Sequence, residues 1–222
     1  MTWAPQLEAV ARIASSEERI AQYTRLLEHA LHDTPSASLP SLVRTYVDGA
    51  VLDPVNTTGA GLLVGRHMLA HLATQLAAAH IPANILCTIV SDTLATCEAS
   101  SIMGDDELGP WRVLLAEQYA SLSRWRDAAQ ALQSITPHAA RRIPQLSFAQ
   151  LCVRVVELWL HDLPSHVAEA EQAIKRANSA ILDERDNKAL VHELWSYHAR
   201  VLANEHSFME AAARYRDLPP DA

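Results

Sequence analysis

Between residues 125 and 135, apolar side chains fall at Trp125, Ala128, Ala129, Leu132 and Ile135, offsets of 0, 3, 4, 7 and 10. That spacing brings all five to one face of an α-helix. The same offsets return eighty-three residues later as Phe208, Ala211, Ala212, Tyr215 and Leu218. Midway between them stand Val167, Ala170, Ile174 and Ala177, with Glu171 alone out of pattern. Each of these helices follows another with its own apolar stripe. Trp111, Leu115, Tyr119 and Leu122 line the first partner, Val155, Leu158 and Trp159 the second, and Trp195, Ala199 and Leu202 the third. The unit is a helical hairpin with a period of about 41–42 residues, longer than the ~34 of a regular tetratricopeptide repeat. Alanine on the second helix lets its neighbour approach closely. A lone hairpin cannot bury both stripes, so the units must stack, and the predicted fold is all-α, a right-handed solenoid of tetratricopeptide-like hairpins.

The rest of the chain fits that reading. All six glycines lie at or before Gly109, and residues 110–222 are rich in Ala, Leu, Glu, Arg and Gln, which favour helix. Prolines 110, 137, 144 and 164 fall where helices start or turn. Alternating β-branched runs are missing. Helices are predicted over residues 6–14, 17–32, 39–52, 61–79, 82–98, 110–122, 124–134, 145–161, 164–181, 185–204 and 207–217. Residues 99–109 read as the main exposed break, which divides the array into helical repeats over 1–104 and tetratricopeptide-like hairpins over 105–222 that continue the same solenoid.

Composition narrows the function classes. The 222 residues are 49% hydrophobic and 20% charged, with a net charge of −8, so the chain folds around a core and lacks the basic balance of a nucleic-acid binder. Cys87, Cys97 and Cys152 are too few and too scattered for a disulfide framework or a CxxC zinc site, and read as buried, reduced thiols. No basic stretch followed by an apolar run opens the chain, and no apolar stretch approaches the ~20 residues of a membrane helix. The expected setting is soluble and intracellular, which makes the Asn56-Thr57-Thr58 sequon incidental.

Candidate chemistry is sparse. His67 and His71 stand four apart on one predicted helix face, but Met68 occupies the place where HExxH needs Glu. Gly59, Gly61 and Gly65 do not space as a nucleotide loop and read as a flexible helix start. Asp105-Asp106-Glu107 and Glu17-Glu18 precede predicted helices, where negative charge complements the macrodipole. Ser15-Ser16 and Ser100-Ser101 read as turn or capping residues. No catalytic, cofactor-binding or metal residue is assigned. The basic pairs Arg124 with Arg126, Arg141 with Arg142, and Lys175 with Arg176 are the candidate grip for an acidic protein partner, set against ordinary solvation of a polar face.

Two stretches carry a family resemblance. Residues 111–119 (WRVLLAEQY) lead into 124–132 (RWRDAAQAL), and 197–202 (YHARVL) lead into 208–215 (FMEAAARY). Weaker echoes at 23–30, 66–69 and 168–177 keep the same order. Together they resemble the N-terminal helical region of the subunit 4 family of the COP9 signalosome, within the PCI superfamily, with the proteasome-lid paralogue next. Ser165–Val167 makes one loop longer than that pattern. The family continues into a PCI winged-helix domain and a long C-terminal helix, neither of which is recognisable here, so the chain is expected to be the N-terminal arm. The resemblance implies a non-catalytic scaffold of the cytoplasm and nucleus that contacts other signalosome subunits and cullin–RING ligase components and supports Nedd8 removal, with no nucleic-acid or membrane partner. A proteasome-lid scaffold or a generic helical-repeat adaptor is the alternative.

Overall fold

In the second half of the chain, the repeat seen in the sequence becomes stacked helical hairpins. The computed structural model describes residues 3–143, 146–163, 165–181 and 187–216. These form thirteen α-helices and no strand among the described residues, so the all-α expectation holds. The chain divides into two compact units, Met1–Gln118 and Tyr119–Ala222.

The first unit holds α1 (Ala4–Ala11), α2 (Ser16–Asp33), α3 (Leu39–Tyr46), α4 (Pro54–Thr57), α5 (Leu62–Ala78) and α6 (Ala83–Ser100). It also holds most of α7 (Asp105–Ser121). Ser15 caps α2 by accepting from the Glu18 N–H, and Glu17 and Glu18 lie in its first turn, where they favour the positive end of the helix dipole. α2 packs on α5 and α3 on α6, around Tyr23, Leu27, Met68, Leu69, Leu72 and Leu76, all fully buried. One π-helical turn, Val47–Val51, follows α3.

Three expectations are corrected here. The glycines near 60 do lead into a helix, with Gly61 at the N-cap of α5 and Gly59 at φ 54°, but two of them are held in close contact. A Cβ at Gly65 would stand 2.7 Å from the Val51 carbonyl oxygen and 2.8 Å from that of Asn56, and one at Gly61 would collide with the Val55 carbonyl. Glycine serves here to let α5 press against the backbone of the π turn and α4. The break over 99–109 is shorter and better held than an exposed linker. Ser101 ends α6 at φ 53°, Met103 is buried, and helix resumes at Asp105. Arg112 spans the break with one guanidinium nitrogen 3.1 Å from Glu98 and the other 3.1 Å from Asp105. Pro110 therefore lies inside α7 and does not start it. Three acidic residues in the first turn, with Glu107 accepting from the Gly104 N–H at 3.0 Å, begin the helix upstream of the proline.

The second unit holds α8 (Trp125–Gln133), α9 (Pro137–Ala140), α10 (Phe148–Leu160), α11 (Val167–Ala180), α12 (Lys188–Asn204) and α13 (Phe208–Arg216). The single-turn helices α4 and α9 are the two that hydrophobic periodicity misses, being too short to show a period. Ser147 and Gln150 form a reciprocal capping box at the start of α10. α10 packs on both α8 and α11, α12 packs on α10 and α11, and α13 packs on α12. The directions follow from side-chain pairs. Trp125, at the start of α8, stacks on His161, at the end of α10, with ring centroids 4.2 Å apart. Arg176, late in α11, lies 5.3 Å from the Phe148 ring that begins α10. α10 is thus antiparallel to both neighbours, and consecutive hairpins stack in chain order as tetratricopeptide-like units do.

The echo between residues 125–135 and 208–218 reaches the backbone. Ser123 and His206, eighty-three positions apart, both adopt positive φ (57° and 63°). The Arg124 N–H donates to the Tyr119 carbonyl, and its counterpart Ser207 donates to Leu202, at 2.8 and 2.9 Å. Ser123 to Ala120 and His206 to Ala203 complete the two bonds of a Schellman ending. A non-glycine residue is uncommon in that conformation, so its return at both positions marks the tight turn between the helices of a pair. Leu218 lies outside the described residues.

Candidate partner-binding surface

The six cations singled out by the sequence fall into two groups. Arg124 and Arg126 lie at the start of α8. Arg141 and Arg142 follow α9, beyond the end of α8, and Arg176 reaches that same end from α11, with Lys175 beside it in the chain. The nine residues of α8 set the groups apart by roughly 13 Å at 1.5 Å per residue. They form two edges of the hairpin stack rather than one patch.

Within the first group, Arg124 is occupied locally. Its Nε donates to Asp127 at 2.7 Å, and its guanidinium carbon lies 4.4 Å from the centre of the Tyr119 ring. Arg126 is exposed and close enough to Glu169, at the start of α11, to help lower its carboxyl pKa. The larger causes there are the backbone hydrogen bond at Glu169 itself and the bond from His166. His166 stands between two carboxylates, 3.1 Å from Asp162 and 3.3 Å from Glu169. This edge is a mixed-charge network.

Within the second group, Arg141, Arg142 and Lys175 are exposed. Arg176 is not a surface hook. Its two terminal nitrogens donate to the carbonyls of Gln133 and Ile135, at 2.7 and 2.8 Å. Those oxygens lie on the last residue of α8 and two residues beyond it, where a cation complements the negative end of the helix dipole and carbonyls lack helical partners. Arg176 thus ties α11 to α8 from within the unit. Replacing it with Met keeps much of the aliphatic stem but leaves two part-buried carbonyls without these donors. The expected loss is about 2–3 kcal/mol, read as a lower urea midpoint, while Lys175→Met stays within about 0.5 kcal/mol.

Other candidate positions show no assembled chemistry. On α5, His67 is exposed and His71 half-buried. No group of three or more His, Cys, Asp or Glu among the described residues is placed to hold a metal ion. The three cysteines are buried and form no disulfide with one another. Burial pushes the Cys97 thiol up to about 11 and raises that of Cys152, so both stay protonated and poorly nucleophilic at neutral pH. No helix among the described residues is long and apolar enough to cross a membrane.

One buried polar cluster escaped the sequence reading. Arg19 is buried and donates to the Asn56 side-chain oxygen at 2.9 Å and to the Ser16 hydroxyl at 3.2 Å. Asn56, fully buried, donates in turn to the Tyr23 hydroxyl at 3.2 Å and the Ala50 carbonyl at 3.0 Å. Such a network has no sequence signature, because its members lie on α2, the π turn and α4. It also closes the question of the sequon. An Asn56 amide held this way is inaccessible to glycosylation in the folded chain.

No family model matches the chain. Curated relatives do, among them three that match over nearly all of it. The COP9 signalosome complex subunit 4 of Caenorhabditis elegans is 29% identical over 222 residues, covering 95% of this chain and 52% of that protein. The chain is related to COP9 signalosome subunit 4. The Drosophila melanogaster subunit 4 is 26% identical over 91% of this chain and 47% of its own length, and that of Arabidopsis thaliana 25% over 94% and 49%. The chain spans about half the length of the subunit 4 relatives it matches. Similarity to subunit 4 is continuous along both compact units, as the ordered motifs led one to expect.

Proposed function

We propose that this chain is a non-catalytic recognition and scaffold arm of a signalosome-type complex, which supports removal of Nedd8 from cullin–RING ligases by binding proteins. The observation that carries this reading is the similarity to subunit 4 of two animals and a plant over 91–95% of the chain. The stacked hairpins support it, because such units present extended surfaces and move as semi-rigid bodies. The partners in this reading are other signalosome subunits and cullin–RING components, met in the cytoplasm and nucleus, with no nucleic acid, membrane or cofactor involved.

The exposed members of the two cationic edges, Arg126, Arg141, Arg142 and Lys175, are the proposed grip on an acidic partner surface. Arg124 plays a lesser part because Asp127 already holds it, and so does Arg176, whose terminal nitrogens are taken by the carbonyls of Gln133 and Ile135. The test is co-precipitation of the folded, monodisperse chain with a purified cullin–RING complex and with the remaining signalosome subunits. Binding to at least one is expected, with Arg126→Glu/Arg141→Glu weakening it about tenfold, or 1.4 kcal/mol. A folded sample that binds neither assembly overturns the reading.

A further inference from the structure

Of the eleven prolines, two follow a hydroxyl side chain, as Thr34-Pro35 and Thr136-Pro137. A proline holds the residue before it extended. Both threonines are so, with φ −95° and ψ 128° at Thr34 and φ −80° and ψ 158° at Thr136. A protein kinase that selects proline after its acceptor takes the acceptor strand in that conformation. The surroundings of the two differ. Thr34 follows Asp33, whose carboxyl the His32 hydrogen bond keeps below its usual range, so a second anion there meets a negative charge. Thr136 is half-buried, with Pro137 exposed beside it, and its hydroxyl oxygen accepts from the Ala139 N–H at 3.2 Å. It precedes α9, a single turn that is marginal by itself and opens at little cost.

What marks Thr136 is a neighbouring cation without a counter-charge. The terminal nitrogens of Arg176 donate to the carbonyls of Gln133 and Ile135, at 2.7 and 2.8 Å, and to no carboxylate among the described residues. The Ile135 carbonyl belongs to the planar peptide unit that ends at the Thr136 Cα, so the guanidinium is one peptide unit from the threonine. Two carbonyls use only part of its five N–H donors. Arg141, just past α9, is exposed, as is Lys175 beside Arg176 in the chain. We propose that Thr136 is a phosphorylation site, whose phosphate seats on Arg176 and Arg141 and closes this cationic edge to an acidic partner. In the transfer, the Thr136 hydroxyl oxygen bonds to the γ-phosphorus of a nucleoside triphosphate. The bond from that phosphorus to the β,γ-bridging oxygen breaks, the nucleoside diphosphate leaves, and the hydroxyl proton passes to the kinase's base. The product carries nearly two negative charges and three acceptor oxygens, which guanidinium forks bind in bidentate fashion. The effect on a partner rests on the function proposed above, whereas the seating of the phosphate does not.

The test uses the folded chain carrying Thr34→Ala, incubated with MgATP and a mitogen-activated protein kinase, which selects proline after its acceptor. A phosphate mapped to Thr136 by tandem mass spectrometry is expected. Pro137→Ala, which keeps the hydroxyl, is expected to slow its addition at least about tenfold. By phosphorus NMR, the phosphate is expected to hold its second proton about tenfold more weakly than in a phosphopeptide of residues 131–140, because flanking cations favour the dianion. Arg141→Met, an exposed change that leaves the fold intact, is expected to shrink that difference. Co-precipitation of the phosphorylated chain with a cullin–RING complex is expected to weaken at least about tenfold. A folded chain that takes no phosphate at Thr136 overturns the proposal, and so does a phosphate that titrates as it does in the peptide. A shifted titration with unchanged binding overturns the closing of the edge. Should the unmodified chain bind neither a cullin–RING complex nor signalosome subunits, the proposed function falls, while the mapping and the titration still decide the site.

Discussion

Ala128→Trp is expected to lower the Tm of the chain by roughly 6–12 °C, the equivalent of about 3 kcal/mol at this chain length. Ala128 has no exposed surface, on a helix, α8, that packs against α10. An indole in place of the methyl group must either separate the helices or force strained rotamers, because interiors close-packed to crystal density have no room to absorb it. α10 packs on both α8 and α11, so displacing it disturbs two contacts together. Differential scanning calorimetry or a circular-dichroism melt gives the number. Ala211→Trp is the informative companion. Ala211 is buried at the equivalent position, but the neighbouring surface of α13 is open, so the helix can tilt away and the loss is expected nearer 1 kcal/mol. Equal effects at the two positions would mean that the repeat register is misassigned.

This difference also shows how far the sequence can be read. Trp125, Ala128, Ala129 and Leu132 announce a helix face, and burial of the last three, with the tryptophan packed on His161, agrees. Phe208 and Tyr215 announce the same face, yet they are exposed. Periodicity reports which side of a helix is apolar, whereas burial depends on whether another helix lies there. The same limit applies to charge. Lys175 and Arg176 are adjacent and indistinguishable as letters, but a rotation of about 100° around α11 leaves the lysine exposed and brings the arginine onto the carbonyls of Gln133 and Ile135. Helix starts were legible where capping chemistry is local and was read as such, as at Ser15. The start at Pro110 was misplaced, because the helix begins earlier, under three carboxylates of its own first turn that apolar periodicity does not report. Gly61 and Gly65 mark contacts with the backbone of residues 51–56, a requirement set by tertiary approach and not by the turn they resemble.

The buried network of the first unit supports the second large effect, at Asn56. Asn56→Ala is expected to destabilise the chain by about 3–5 kcal/mol, because it strands a buried guanidinium whose best acceptor is gone. It also takes a donor from the Ala50 carbonyl and from the Tyr23 hydroxyl, which continues to the Gly49 carbonyl at 3.3 Å. The π turn Val47–Val51 is thereby loosened, and with it the close approach of α5 at Gly65. No carboxylate forms an ion pair with Arg19 among the described residues, and its Nε is buried without a hydrogen-bond partner. The cation therefore contributes less than its neutral acceptor does. Arg19→Met, which removes the charge and retains an apolar stem, is expected to lose only about 1–2 kcal/mol. The combined Arg19→Met/Asn56→Ala variant should lose clearly less than the two single losses together, since neither the charge nor its acceptor remains to be satisfied. Urea midpoints give the ordering, and hydrogen exchange at the amides of residues 47–51 locates it. Should Arg19→Met prove as damaging as Asn56→Ala, the arginine and not the asparagine would be what holds the π turn in place.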